Sequence, residues 1–179
     1  SCRGPATDPP LDSRVKGDAS GLLAVLSPAV DEVAVTINAP AEKIYDLITD
    51  VTQMGRWSPE CTGGKWTGGA TGPEVGATFK GSNRHGLARW TTHCTVTKAE
   101  RPRMFEWEVK ESGMRWGYRF EPAEGATLVT EYRDQQADTP FYVKLVQKSG
   151  LIGRNREQLL VDGMRQTLER VKEAAEGRR

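Results

Sequence analysis

At 179 residues the chain is long enough for one domain with a sizeable core, and two full domains would be crowded. Lysine and arginine total 25 against 24 acidic residues, a net charge of +1, so no global electrostatic pull toward nucleic acid or an anionic membrane exists. No apolar run reaches the roughly eighteen residues of a membrane span, and the 19 glycines and 10 prolines suit a hairpin-rich fold without low-complexity enrichment.

Residues 1–30 carry Pro5, Pro9, Pro10 and Pro28 among small and charged residues. They read as a mostly disordered leader, with Leu22 to Leu26 docking on the domain that follows. That domain is expected to run over 31–177. Val33, Val35 and Ile37 alternate with Ala34 and Thr36, the period-2 pattern of a strand with one buried face. Pro40 has a backbone preset for the first helical position, and Ile44, Leu47 and Ile48 supply the apolar face of the helix. Asp50 with Gln53 forms a capping-box-like start for a second short helix, in which Met54 and Trp57 add apolar bulk.

From Cys61 to Arg133 glycine pairs and prolines punctuate successive hairpins, with strands predicted near 62–67, 75–82, 87–99, 104–110, 115–121 and 126–133. The glycines of Gly68 to Gly72 lack the Lys-Ser/Thr ending of a phosphate loop and read as a hairpin turn. A two-residue turn at Ser112-Gly113 would set Val109 against Trp116, Trp107 against Tyr118 and Phe105 against Phe120. The same register makes Glu106 and Arg119 an exposed pair on the other face. At the C-terminus, Leu160, Met164, Leu168, Val171 and Ala175 recur at helical spacing, predicting a helix from about Arg154 to Glu176 that Gly177 stops. Gly163 within it costs about 1 kcal/mol relative to alanine. It marks either a close approach or a tolerated defect.

Alternation places Trp90, Thr92, Cys94 and Val96 on one side of their strand. Together with Phe105, Trp107, Val109, Trp116, Tyr118 and Phe120 they make an aromatic concave surface, over which Met54, Trp57, Met164 and Leu168 close. Four tryptophans converging beside the small residues Ala77, Gly81 and Gly117 are hard to pack without a void. The candidate ligand-binding residues are therefore Met54, Trp57, Phe79, Trp90, Thr92, Phe105, Trp107, Trp116, Tyr118, Met164 and Leu168. His93 falls on the outer side of its strand and His85 in a turn. Arg84, Arg89, Arg115 and Arg119 read as a solvated outer face.

No Ser/His/Asp or Cys/His set can be assembled from this pattern. Cys2, Cys61 and Cys94 form no CxxC pair and have no histidine at metal-ligand spacing. No catalytic residue, metal or cofactor is assigned, Cys94 reads as a buried core thiol, and a reducing, cytoplasmic compartment is the expectation.

The segment VAVTINAPAEKIYDLITDVTQMGRWSP at 33–59 resembles the opening of the START-like, helix-grip (SRPBCC) superfamily. RWTTHCTV at 89–96, RWGYRFEP at 115–122, GATLVTEY at 125–132 and LLVDGMRQTLERVKEAAE at 159–176 look like the central strands and terminal helix of actinobacterial polyketide cyclase/dehydrase-type members. The resemblance implies an α+β helix-grip fold: a curved antiparallel sheet of six to seven strands around a long C-terminal helix, with two short helices after the first strand. It also implies an internal cavity for a small hydrophobic molecule, lipid-like or polyketide-like, with no nucleic-acid partner and no stable membrane insertion. A second reading is an aromatase/cyclase that drives aldol condensation and dehydration. A third is an interaction or stress-response module whose cavity is incidental. Enzymatic members of the family are thought to use arginine, tyrosine or histidine in the pocket; here the available polar groups are Tyr118 with Tyr132 or Glu131.

Overall fold

The structure, a computed structural model, describes residues 30–135 and 153–177. The leader expected over 1–30, and the docking segment Leu22 to Leu26 within it, lie outside the described residues apart from Val30, which begins the first strand. Strand β1 (Val30–Ile37) leads into helix α1 (Ala41–Thr49), a 3-10 turn (Val51–Gln53) and helix α2 (Met54–Trp57). Six strands follow: β2 (Cys61–Thr67), β3 (Thr78–His85), β4 (Ala88–Glu100), β5 (Met104–Val109), β6 (Met114–Ala123) and β7 (Ala126–Gln135). The long helix α3 (Gly153–Ala175) closes the described chain.

All seven strands form one antiparallel sheet in the order β1-β7-β6-β5-β4-β3-β2. Consecutive strands therefore pair as a meander, while α1 and α2 carry the chain from the β1 edge to the β2 edge. A bulge between Val96 and Lys98 interrupts the pairing of β4 with β5, the device by which a long strand bends. One face of the sheet holds α3. Lys172 Nζ donates to the Thr36 carbonyl at 2.6 Å, the Asn38 N–H to Glu176 Oε1 at 2.8 Å and Lys43 Nζ to the Ala175 carbonyl at 2.7 Å. The last of these sets a cation on the negative end of the helix dipole. Gly177 then takes the left-handed conformation (φ 72°) that commonly ends a helix.

Apart from His85, which ends β3 opposite Ala88 rather than lying in a turn, three expectations need correction. The β5–β6 hairpin is two residues out of the predicted register: Phe105 pairs with Tyr118, Trp107 with Trp116 and Val109 with Met114. The chain turns through a wider loop in which the Gly113 N–H donates to the Val109 carbonyl at 2.8 Å. Since two residues is one full period of a strand, the same side chains still face the core.

Glu106 is the second. It is 2% exposed and opposite Gly117 rather than Arg119. It accepts hydrogen bonds from the Tyr132 hydroxyl at 2.6 Å and Thr97 Oγ1 at 2.8 Å, with Lys98 Nζ at 3.4 Å. Gly117 accounts for that burial. The Tyr132 ring crosses directly over its Cα, where a Cβ would collide with the ring. Gly117 thus makes room for tyrosine on the outer face and not for a void inside.

The third concerns the start of the second short helix. The Asp50 carboxylate accepts from the Thr52 N–H at 3.1 Å as expected of a cap, but Gln53 accepts from Arg56 Nη1 at 3.2 Å rather than closing a reciprocal box. Gly64 lies inside β2, where the Val51 carbonyl presses on its Cα, so the 3-10 turn rests flat on the sheet edge.

Candidate functional site

The concave face carries a ladder of rings. At one end Tyr45 of α1 meets Phe105 and Phe120 at centroid distances of 6.5 and 5.5 Å. These three, with Ile37, Val129, Leu168 and Val171, are almost completely buried and form a solid core. The ladder continues from Phe105 to Trp107 at 5.4 Å, and from Trp107 to Tyr118 and Phe79 at 6.0 Å each. Beyond Trp107 the packing opens. A cavity of about 400 Å³ lies there, bounded by the sheet, α2 and α3.

Strand alternation decides which side chains reach it. Phe79 of β3, Trp90, Thr92 and Cys94 of β4, Trp107 of β5, and Trp116 and Tyr118 of β6 form the floor and walls. Met54 and Trp57 from α2 and Met164 from α3 close the top. Trp57 is fixed there by its indole N–H, which donates to the Leu47 carbonyl at 3.3 Å, and by Arg170 Nη1 on the Trp57 carbonyl at 3.1 Å. Phe105 and Leu168, also among the candidates, do not line the cavity; each is 0% exposed in the solid core behind it. Gly163 sits on the cavity wall, and a Cβ there would meet only Pro59 at ordinary contact distance.

Polar side chains also line the cavity, among them Ser58, Asn83, Thr92, Ser112 and Thr167. Asn83 Nδ2 donates to Thr92 Oγ1 at 3.3 Å on the floor. Cys94 is a free thiol that burial pushes up to about 12, so it stays protonated and unreactive. His93 is exposed outside the cavity, and its Nδ1 pairs with Glu111 Oε1 at 2.5 Å. Glu111 and Glu60 stand at the cavity rim, the latter 3.4 Å from His85.

Two polar groups named from the sequence, Tyr118 and Glu131, come together in the cavity. Glu131 is opposite Tyr118 across the β6–β7 pairing, and both line the cavity. Glu131 is 5% exposed, and its Oε2 is buried without a hydrogen-bond partner. Burial raises its carboxyl to about 8, against a polar contact with the Tyr118 phenol that lowers it. Burial likewise raises Tyr118 well above an ordinary phenol, with the Glu131 charge adding to the rise. Near neutral pH the pair is thus an uncharged acid beside an uncharged phenol. Tyr132, offered with Glu131 as an available polar group, lies outside on Glu106, which turns Glu131 inward. Arg133, two residues on, reaches the cavity as well, but its Nε donates to Asp31 Oδ2 at 2.6 Å.

Among the described residues no helix is long and apolar enough to cross a membrane, and no three His, Cys, Asp or Glu side chains gather as a metal site.

A family described as polyketide cyclase / dehydrase and lipid transport matches residues 31–176. The chain is 32% identical to the polyketide cyclase-like protein Cgl2372 of Corynebacterium glutamicum, covering 82% of this chain and 91% of that one, with a TM-score of 0.59. The di-domain ARO/CYC protein StfQ of the steffimycin biosynthetic pathway matches with a TM-score of 0.64 at 12% identity, over 83% of this chain and 51% of StfQ. Ginseng major latex-like protein 151, from Panax ginseng, matches with a TM-score of 0.60 at 11% identity, over 82% and 97%. At such identities the last two likenesses are of fold alone. No curated protein matches the sequence.

Proposed function

Because the chain belongs to the polyketide cyclase / dehydrase and lipid transport family, we propose that it binds a small hydrophobic molecule in the cavity between the sheet and α3. The carrying observation is the break in the ring ladder: the concave face is solid from Tyr45 to Phe105 and hollow beyond Trp107. A space of about 400 Å³ is of the size that ligand pockets have. Its walls of tryptophan, phenylalanine and methionine favour an apolar occupant by about 25 cal/mol for each Å² withdrawn from water. A lipid-like or polyketide-like ligand fits that chemistry, in keeping with the family's description.

The test is solvent extraction of the protein purified without detergent, followed by mass spectrometry. A recurring small apolar molecule supports the proposal, and an empty protein that also refuses apolar probes leaves the interaction-module reading. Trp107 sits where the solid ladder meets the cavity. Trp107→Ala is expected to weaken binding of an uncharged fluorescent aromatic or fatty-acyl ester probe about tenfold, equivalent to about 1.4 kcal/mol of lost apolar contact. Unchanged affinity in a folded variant would remove Trp107 from the site.

Glu131 and Tyr118 favour a second reading, an aromatase/cyclase-type activity. A neutral carboxylic acid inside an apolar cavity is the kind of group that donates a proton to a developing enolate or leaving hydroxyl. Turnover of a poly-β-ketone analogue by the wild type, lost in Glu131→Gln, is the outcome that separates catalyst from carrier.

A further inference from the structure

We propose that Glu131 selects the ligand: the cavity takes uncharged hydrophobic molecules that carry a hydrogen-bond acceptor, such as a ketone, and rejects fatty-acid-type anions. This rests on the cavity being the ligand site.

Two independent features carry it. The first is the free valence of Glu131 itself. The carboxyl lines the cavity, is 5% exposed and leaves Oε2 buried with no partner. A buried polar atom without a partner forgoes a hydrogen bond it had in water, so a ligand that satisfies the carboxyl recovers what the empty protein gives up. The second is the charge around it. Among the described residues the cavity is lined by three carboxyl groups, Glu60, Glu111 and Glu131, and by one cation, Arg133. That cation is committed: its Nε and Nη2 both reach Asp31. Among the described residues a fatty-acid carboxylate entering here meets acids at the rim, no free guanidinium, and the full penalty of burying an unpaired charge.

The protonation state of Glu131 fits the donor role. The ionisable group acting on it is Tyr118 on β6; the others lining the same cavity are Arg133 on its own strand (held by Asp31 of β1), Glu111, Cys94 on β4, Cys61 on β2 and Glu60. On β1 it is paired with apolar Val33, and α3 brings Met164 and Thr167 to the cavity. With no cation among the described residues free to hold a carboxylate, burial keeps the acid protonated up to about 8. A ligand carbonyl can then accept from its O–H.

The experiment is calorimetric titration of the full chain with a decyl series, comprising decane, methyl octyl ketone, decanoate and decylamine, at about pH 6 and about pH 10. The expected result at the lower pH is a ketone about tenfold tighter than decane, with decanoate weaker than either. At the higher pH the wild type loses the ketone preference as Glu131 ionises. Glu131→Gln, which keeps an N–H donor, holds that preference at both values, and Glu131→Leu loses it at both. Decanoate binding as tightly as the ketone, decylamine binding tightest with affinity rising with pH, or a ketone preference that survives in Glu131→Leu would each overturn the proposal. If every probe binds without discrimination, the selection fails while the cavity stands as a ligand site. If none binds, both fall.

Discussion

Glu131 and Glu106 are both buried glutamates, and they lie on opposite faces of one sheet with opposite fates. Burial pushes the Glu106 carboxyl up, but hydrogen bonds from Tyr132 and Thr97 and the charges of Lys98 and Arg115 outweigh it, holding it below the usual carboxylate range. Glu131 has burial and little to offset it. Its folded value of about 8 lies above the value of an exposed glutamate, so the folded state binds the extra proton and stability falls as pH rises. The loss sets in above about pH 4.5, reaches on the order of 3 kcal/mol at pH 7 and levels off above the folded value. Glu131→Gln should therefore leave the melting temperature near pH 4 almost unchanged and raise it at pH 7 to 9. Equal melting curves for both proteins across that range would show that Glu131 is solvated or paired. On the other face, Gly117→Ala would drive a methyl group into the Tyr132 ring and strip Glu106 of its phenol. A loss of about 3 kcal/mol in urea denaturation is expected from the overpacking and the broken bond together. No loss would mean that the ring swings aside freely.

The elements themselves were largely legible, because period-2 and helical spacing report which side chains share a face. β4, β5 and β6 showed their inward sets in the sequence, and the two-residue error in the β5–β6 register left those sets intact. What spacing could not report was contact across strands. Nothing local in Glu106 says that a tyrosine two strands away will cover it, and nothing in Gly117 says that its missing Cβ serves that ring. β7 left Tyr132 and Glu131 both open for the same reason: only the hydrogen bond from Tyr132 to Glu106 explains why the tyrosine lies outside and the glutamate inside. Phe105 and Leu168 were legible as inward but not as core rather than wall, since that boundary depends on how far α1 and α3 fill the concavity. α3 offers a test of how wall and helix are balanced. Gly163 faces the cavity with only Pro59 at contact distance. Gly163→Ala is expected to stabilise the protein by about 0.5–1 kcal/mol through helix propensity while narrowing the cavity, so probe affinity falls as the melting temperature rises. A lower melting temperature would place the methyl group in a clash with Pro59.

At the scale of the whole molecule, the meander returns β7 beside β1 and leaves α3 to close one side of the curved sheet, so the concavity is filled from one end only. Stability should divide accordingly. Phe105→Ala, in the solid end, is expected to cost about 3–5 kcal/mol in chemical denaturation. Trp90→Ala, half-buried on the cavity wall, is expected to cost no more than about 1 kcal/mol. Similar losses at the two sites would contradict the division. The ring ladder, solid at Tyr45 and hollow past Trp107, then has a consequence for how such a protein changes over generations. Mutation at Trp90, Thr92, Met114 or Trp116 can reshape the cavity while the far end continues to hold the chain together. Lineages descended from one ancestor could thus diverge in what their cavities admit without first losing their shape.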